Sequence, residues 1–237
     1  MTMRDEVYEG EAMPLVEHLR EFRDRLIKAL IGLIIGMAIS MPFAEQVLKV
    51  LVRPLNYTPI ALSPTDTIVQ YIRVSFIGGV ALAMPIILYQ VIAFLLPALT
   101  QREKRYLFVF LPAGTILFVV GLLFGAFVAV PLSIFFLQNF GEEFAVNQWH
   151  LERYISFVTT LLLALGLGFQ TPLVIFFIAK LGIVNYATLT KNIRWAFLIT
   201  AILAAVLTPT PDPWNMLVVM APLFLLYLLG VLLARWA

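Results

Sequence analysis

Cysteine is absent from all 237 residues, which removes disulfides, thiol nucleophiles and thiolate metal ligands. Histidine is almost absent too, with two residues, too few donors for a dedicated imidazole metal site. Charge is the third scarcity. Asp, Glu, Lys and Arg make up 13% of the chain against 62% hydrophobic residues, which leaves too little polar surface for a water-soluble domain of this length. No nucleophile–base pair, phosphate-binding loop or metal spacing appears, so no catalytic chemistry and no cofactor is expected. A formal charge of +2 gives no reason to expect a nucleic-acid partner.

What the chain has instead is long apolar runs. The charged residues collect in islands, and the stretches 29–44, 74–101, 106–141, 154–179, 195–211 and 213–234 contain none. Crossing a bilayer takes roughly 20 apolar residues; four of the six runs reach that and two fall a little short. The runs are apolar on every side, whereas barrel strands alternate with a period of two, so helices are the expected spanning elements. The expected fold is all-α: a polytopic integral membrane protein with spans over about 26–41, 69–95, 105–138, 153–179, 195–207 and 214–234. These form one domain over 14–237, preceded by a flexible N-terminus over 1–13.

Orientation follows from Lys and Arg. Twelve lie before the first span, between spans two and three, between spans four and five, and at the C-terminal end; four (Lys49, Arg53, Arg73 and Arg153) lie on the other side. Both termini are therefore expected on the cytoplasmic side; the resemblance described below implies the cytoplasmic membrane of a prokaryote. Seven acids among the first 28 residues do not make the cationic start of a cleavable leader.

Local features refine this. Leu15, Leu19, Phe22 and Leu26 recur at helical spacing after Pro14, giving a helix with one charged face. It either lies on the inner membrane surface and feeds into span one, or is a solvated helix start. Between spans one and two, Pro42, Pro54, Pro59 and Pro64 forbid one long helix, and 43–52 suits a short amphipathic one. Span three is longer than the hydrocarbon core, with Pro112 and Pro131 placed to bend it. Span five is short, which means local bilayer thinning, a partner covering its end, or a boundary read too tightly. The halves show no inverted repeat.

Ionisable groups are almost absent at membrane depth, where a proton- or ion-coupled pump would need them. The deepest strongly polar side chain is Gln170, two residues before Pro172. Because Pro172 has no N–H, the Gly168 carbonyl loses its helical partner. Gln170 either bonds that carbonyl, reaches a neighbouring helix or a substrate, or with Thr171 merely repairs the kink. At the inner surface, Glu103 is the sole acid of the inner loops. With Glu17, Glu21 and Asp24 it can form an acidic patch suited to guanidinium groups, or it can serve simply as a first-turn helix acid.

These residues carry a family resemblance. His18-Leu19-Arg20-Glu21-Phe22-Arg23-Asp24-Arg25-Leu26 resembles the HL-x-E-L/F-R-x-R-L segment of the TatC subunit of the twin-arginine protein translocase. Pro85 through Phe94, with Ile87-Leu88-Tyr89-Gln90 between, resembles that family's P-x-I-L-Y-Q-x-x-x-F helix, and Pro97-Ala98-Leu99 with Glu103-Lys104-Arg105 its following loop. Phe124, Phe127, Pro131 and Leu132 resemble F-x-x-F-x-x-x-P-L. Tyr154-Ile155-Ser156-Phe157 and Gly168-Phe169 with Pro172 match its fourth helix, and Leu207-Thr208-Pro209 with Asp212 its fifth-helix end. The ordered set covers about 14–236.

The resemblance implies a concave cup of six helices that receives folded cargo through signal peptides bearing two adjacent arginines. It assigns that arginine pair to Glu21 and Glu103. It implies structural or supporting roles for Arg23, Pro85, Phe94 and Tyr154, and a multi-subunit complex in membrane lipid. Single-span partner subunits of the TatA/TatB type would pack near helices five and six, around Thr208. Where the family usually has a glutamate facing the concavity, this chain has Gln170, expected as a concave-face polar contact without charge. The competing expectation is a small-solute secondary transporter or channel, for which Gln170 and Pro172 are the only hint.

Overall fold

The computed structural model describes residues 15–95, 107–140, 148–208 and 212–236. Among them the backbone is helical apart from turns and one isolated bridge. In order, the helices are α1 (Leu15–Ser40), α2 (Ala44–Val52), α3 (Asp66–Leu95), α4 (Leu107–Phe124), α5 (Val130–Asn139), α6 (Leu151–Gly168), α7 (Thr171–Lys180), α8 (Tyr186–Lys191), α9 (Ile193–Leu207) and α10 (Pro213–Ala234). Five helical runs are long and apolar enough to cross a membrane, and Ile193–Leu207 is a shorter apolar one.

The amphipathic N-terminal segment and span one are a single helix, α1, without a break at Leu26. Its principal neighbour is α3. Close approach depends on glycine: a Cβ on Gly36 would lie 2.5 Å from the Gly79 carbonyl oxygen, and one on Gly79 would lie 2.6 Å from Met37 Cγ. Without a hydrophobic driving force between helices in lipid, such small-residue contacts are how spans gain dispersion energy. The rest of α1 is open, with Ile31, Ile34, Ile35 and Ile39 all more than half exposed, as suits a face toward acyl chains.

The segment between the first two spans is built rather than loose. Its short amphipathic helix is α2, as its spacing predicts, followed by a 3₁₀ turn through Pro54 that ends in Asn56 at φ 59°. Asp66 accepts from the amides of Leu62 and Ser63, both at 2.9 Å, and so fixes the entry to α3. Two backbone bonds, Ile60 N–H to the Trp149 carbonyl (3.0 Å) and Leu151 N–H to the Ile60 carbonyl (2.9 Å), strap this segment to the start of α6. Tyr154, fully buried, donates from its hydroxyl to the Leu51 carbonyl at 2.5 Å. Gln138 donates to the Leu55 carbonyl at 3.3 Å. The largest core cluster lies beneath this clasp and includes Leu51, Leu55, Ile134, Ile155 and Val158.

Prolines explain the departures from straight spans. Pro112 sits inside α4 without interrupting it. Ahead of Pro131 the helix widens into one π turn over Gly125–Ala129, where the Val130 amide reaches back to the Gly125 carbonyl. Span four is two helices rather than one. The chain steps out at 169–170, and Pro172 opens α7 in its first turn, where its missing N–H is harmless. At about 1.5 Å per residue, the 15-residue α9 is ~22 Å long, short of the ~30 Å core. Asp212 caps α10 through the Asn215 amide at 2.7 Å.

Candidate functional site

Because α1 and α3 run antiparallel, the start of one meets the end of the other, and the resemblance-bearing residues of both meet there. Phe94, in the last turn of α3, stacks on His18 with ring centroids 4.4 Å apart and takes the edge of Phe22 at 5.6 Å. His18, Phe22 and Arg25 fall at helical spacings of four and three, so all three turn toward α3.

Glu21 sits on the same stretch, half-buried. Its Oε1 accepts from both Nε (2.8 Å) and Nη2 (2.5 Å) of Arg25, one turn on. The two bonds share one oxygen, so the pairing is not the two-on-two fork that a guanidinium and a carboxylate can form. Glu21 Oε2 is buried and has no hydrogen-bond partner among the described residues. Gln90, one turn before Phe94 on α3, is in the same condition at its Oε1. Between the two helices lies a hollow of about 270 Å³, lined by Phe22, Arg25, Leu26, Ile87, Gln90 and Phe94 among others. Its walls are mostly apolar, with Arg25 and Gln90 the polar side chains among them, and Glu21 is joined to it only through Arg25.

The other expected residues fall elsewhere. Glu103 lies outside the described residues. Arg23 is exposed and pairs with Asp24 at 2.7 Å; the arginine joined to Glu21 is Arg25. Pro85 lies inside α3, about two turns from Phe94. Tyr154 is in the clasp at the opposite end of the molecule from the α1–α3 junction. Thr208, buried at the end of α9, donates to the Ala204 carbonyl at 2.8 Å. Gln170, 8% exposed, occupies the step between α6 and α7 and donates from Nε2 to the Gly114 carbonyl of α4 at 2.9 Å. Of the roles left open for it, the structure thus shows a bond to a neighbouring helix. Its Oε1 is buried without a partner among the described residues.

Two residues of the site escaped the sequence reading. Arg25 was visible in principle, because an acid four residues before an arginine is the favoured helical ion pair. Gln90 is an amide inside a charge-free run, and only the packing of α1 makes it an edge of a pocket.

Two larger hollows are apolar. One, about 580 Å³, lies between Phe124, Leu132, Phe169 and the α10 residues Trp214, Pro222 and Leu225. The other, about 590 Å³, lies between α7, α9 and α10. Among the described residues no three His, Cys, Asp or Glu side chains gather into a metal-holding group.

Comparison with known proteins gives one consistent result. Residues 17–222 match the family described as Sec-independent protein translocase protein (TatC). The Sec-independent protein translocase protein TatC of Carboxydothermus hydrogenoformans is 33% identical over 96% of this chain and 95% of its own. That of Aquifex aeolicus is 35% identical over 95% of this chain and 96% of its own. A crystal structure described as the twin arginine translocase receptor TatC superimposes with a TM-score of 0.82 at 33% identity, covering 92% of this chain and 98% of that one.

Proposed function

This chain belongs to the TatC family of Sec-independent protein translocases, and we propose that the junction of α1 and α3 is where it reads the arginine pair of an export signal. The observation that carries this is Glu21: a half-buried carboxylate with one oxygen already on a guanidinium and the other buried and unpartnered. In this reading an incoming arginine completes the hydrogen bonding of Glu21. Glu103, in the loop that follows α3, takes the second arginine. Phe94 and Phe22 hold the two helix ends together so that Glu21 is presented at a fixed place.

The excess of Lys and Arg at this end makes it the cytoplasmic face, with both termini inside the cytoplasmic membrane. The chain is then a receptor without catalytic chemistry, and the energy for transport enters through the assembled complex. Single-span subunits of the TatA/TatB type pack near α9 and α10, where a ~22 Å span leaves a polar end around Thr208 to be covered. Gln170 serves as an uncharged polar contact.

The test is binding of a twin-arginine signal peptide to the detergent-solubilised protein, with Glu21→Ala and Glu103→Ala alongside. Losing one charge-assisted contact costs on the order of 1.5–3 kcal/mol, a tenfold or larger drop in affinity. A wild-type protein that bound twin-arginine and twin-lysine peptides equally would overturn the reading.

A further inference from the structure

We propose that the end shared by α7, α8, α9 and α10 is a binding surface for the anionic headgroups of phospholipids. The inference goes beyond the signal-receptor reading and uses none of its site residues. Lys180 closes α7 and Lys191 closes α8. Arg194 stands in the first turn of α9, and Arg235 directly follows α10. α10 packs along both α7 and α9. α8 is seated against them: Leu189 shares a small core with Ile175 of α7 and with Val231 and Ala234 of α10, and the Tyr227 hydroxyl donates to the Leu189 carbonyl at 2.9 Å. Packing thus gathers the four cations at one end of four helices. No acid accompanies them, because Asp and Glu are absent from 153–211 and from 213–237. The start of α1 differs: its arginines are interleaved with Glu17, Glu21 and Asp24, and Arg23 and Arg25 are paired. Cations held together without acids repel one another and draw in an anion.

The surroundings of the cations decide which anion. The chain has two Arg-Trp pairs, Arg194-Trp195 and Arg235-Trp236, and both fall at this end. Trp195 is 64% exposed and Trp236 81%, so neither ring belongs to the core. An exposed indole beside a cation suits the level where hydrocarbon meets headgroups. Below Arg194, Leu198 and Ile202 follow at spacings of four, and all three are exposed. A cation therefore tops an apolar stripe on one side of α9. A phospholipid has the matching order, a phosphate above an acyl chain. Free phosphate or an acidic peptide matches only the upper part. On the orientation proposed above this is the inner leaflet, where acidic lipids attract Lys and Arg at the ends of spans.

The experiment uses the full chain in detergent and measures, by native mass spectrometry, apparent dissociation constants for phosphatidylglycerol and phosphatidylcholine with identical acyl chains. The proteins are wild type, Arg194→Gln/Arg235→Gln, Arg194→Lys/Arg235→Lys and Lys49→Gln/Arg53→Gln, the last removing two cations from the opposite end. Wild type is expected to prefer phosphatidylglycerol, and Arg194→Gln/Arg235→Gln to reduce that preference about twentyfold. The lysine pair keeps the charge and should retain the preference, and the Lys49/Arg53 variant should leave it nearly unchanged. Excess inorganic phosphate should not displace the lipid. Wild type that binds both lipids equally overturns the proposal. Equal loss in the Lys49/Arg53 variant overturns it by making net charge the cause, and loss in the lysine pair overturns the electrostatic argument. Displacement by inorganic phosphate makes this a free-phosphate site and overturns the lipid as its occupant. None of these outcomes bears on Glu21 or Glu103, so the signal-receptor reading stands or falls separately.

Discussion

Gln170 Nε2 donates to the Gly114 carbonyl at 2.9 Å, joining the break in the fourth span to the middle of the third. A carboxylate at the same place has no proton to give, so the bond depends on the amide or on a protonated acid. Gln170→Leu should therefore lower the thermal midpoint by an amount equivalent to roughly 0.6–1.7 kcal/mol, from the average to the maximum for hydrogen bonds between membrane helices. If Gln170→Leu also transports normally and Gln170→Glu does not improve transport, the position is a structural tie and charge at that depth is dispensable.

The contact of Gly36 with Gly79 sets how closely α1 lies on α3. Gly36→Val places branched carbon where a Cβ would already be 2.5 Å from the Gly79 carbonyl oxygen. The helices must separate, and the separation should reach the junction where His18 meets Phe94. Because the chain has no cysteine, a His18→Cys, Phe94→Cys pair can be introduced without removing anything native. Crosslinking between that pair should fall sharply in the Gly36→Val background and remain in Gly36→Ala to a greater extent.

Phe94 holds His18 and Phe22 by ring contacts worth about 0.5–1.5 kcal/mol each beyond simple burial. Phe94→Ala should weaken twin-arginine peptide binding several-fold without touching a ligand-bonding atom. Phe94→Tyr should keep most of the affinity. The comparison is read by the same binding titration, and equal loss in both variants would mean that the ring contacts are not what positions Glu21.

Tyr154→Phe removes one buried hydrogen bond and leaves the Leu51 carbonyl without its donor. The expected cost is about 1–3 kcal/mol of stability, seen as a lower thermal midpoint. Signal-peptide affinity should not change, because the clasp and the proposed signal site are at opposite ends of the molecule.

The sequence made the spans legible because charge is excluded from lipid so strictly that six charge-free runs mark them, α9 as a short one included. Ends controlled by Gly and Pro were harder. The step at 169–170 and the π turn before Pro131 depend on how neighbouring helices accept freed carbonyls, which periodicity does not encode. The site divides in the same way. Glu21 and Phe94 stood out through their motifs, whereas Gln90 acquires meaning only from the helix laid across it. Arg25 rather than Arg23 faces Glu21 because four residues is one helical turn and two is the opposite side.

The clasp of Tyr154 on Leu51 has a consequence for how the chain is made. Tyr154 grips a carbonyl 103 residues earlier, and at ~5–20 residues per second that separation amounts to about 5–20 s of synthesis. During that interval the first pair of helices is already in the bilayer with its connecting segment unfastened. Until the fourth crossing is made, the hairpin is held by its glycine seam and by what the third span adds, Gln138 on the Leu55 carbonyl included, so slower translation there lengthens the time that the segment stays only partly fastened.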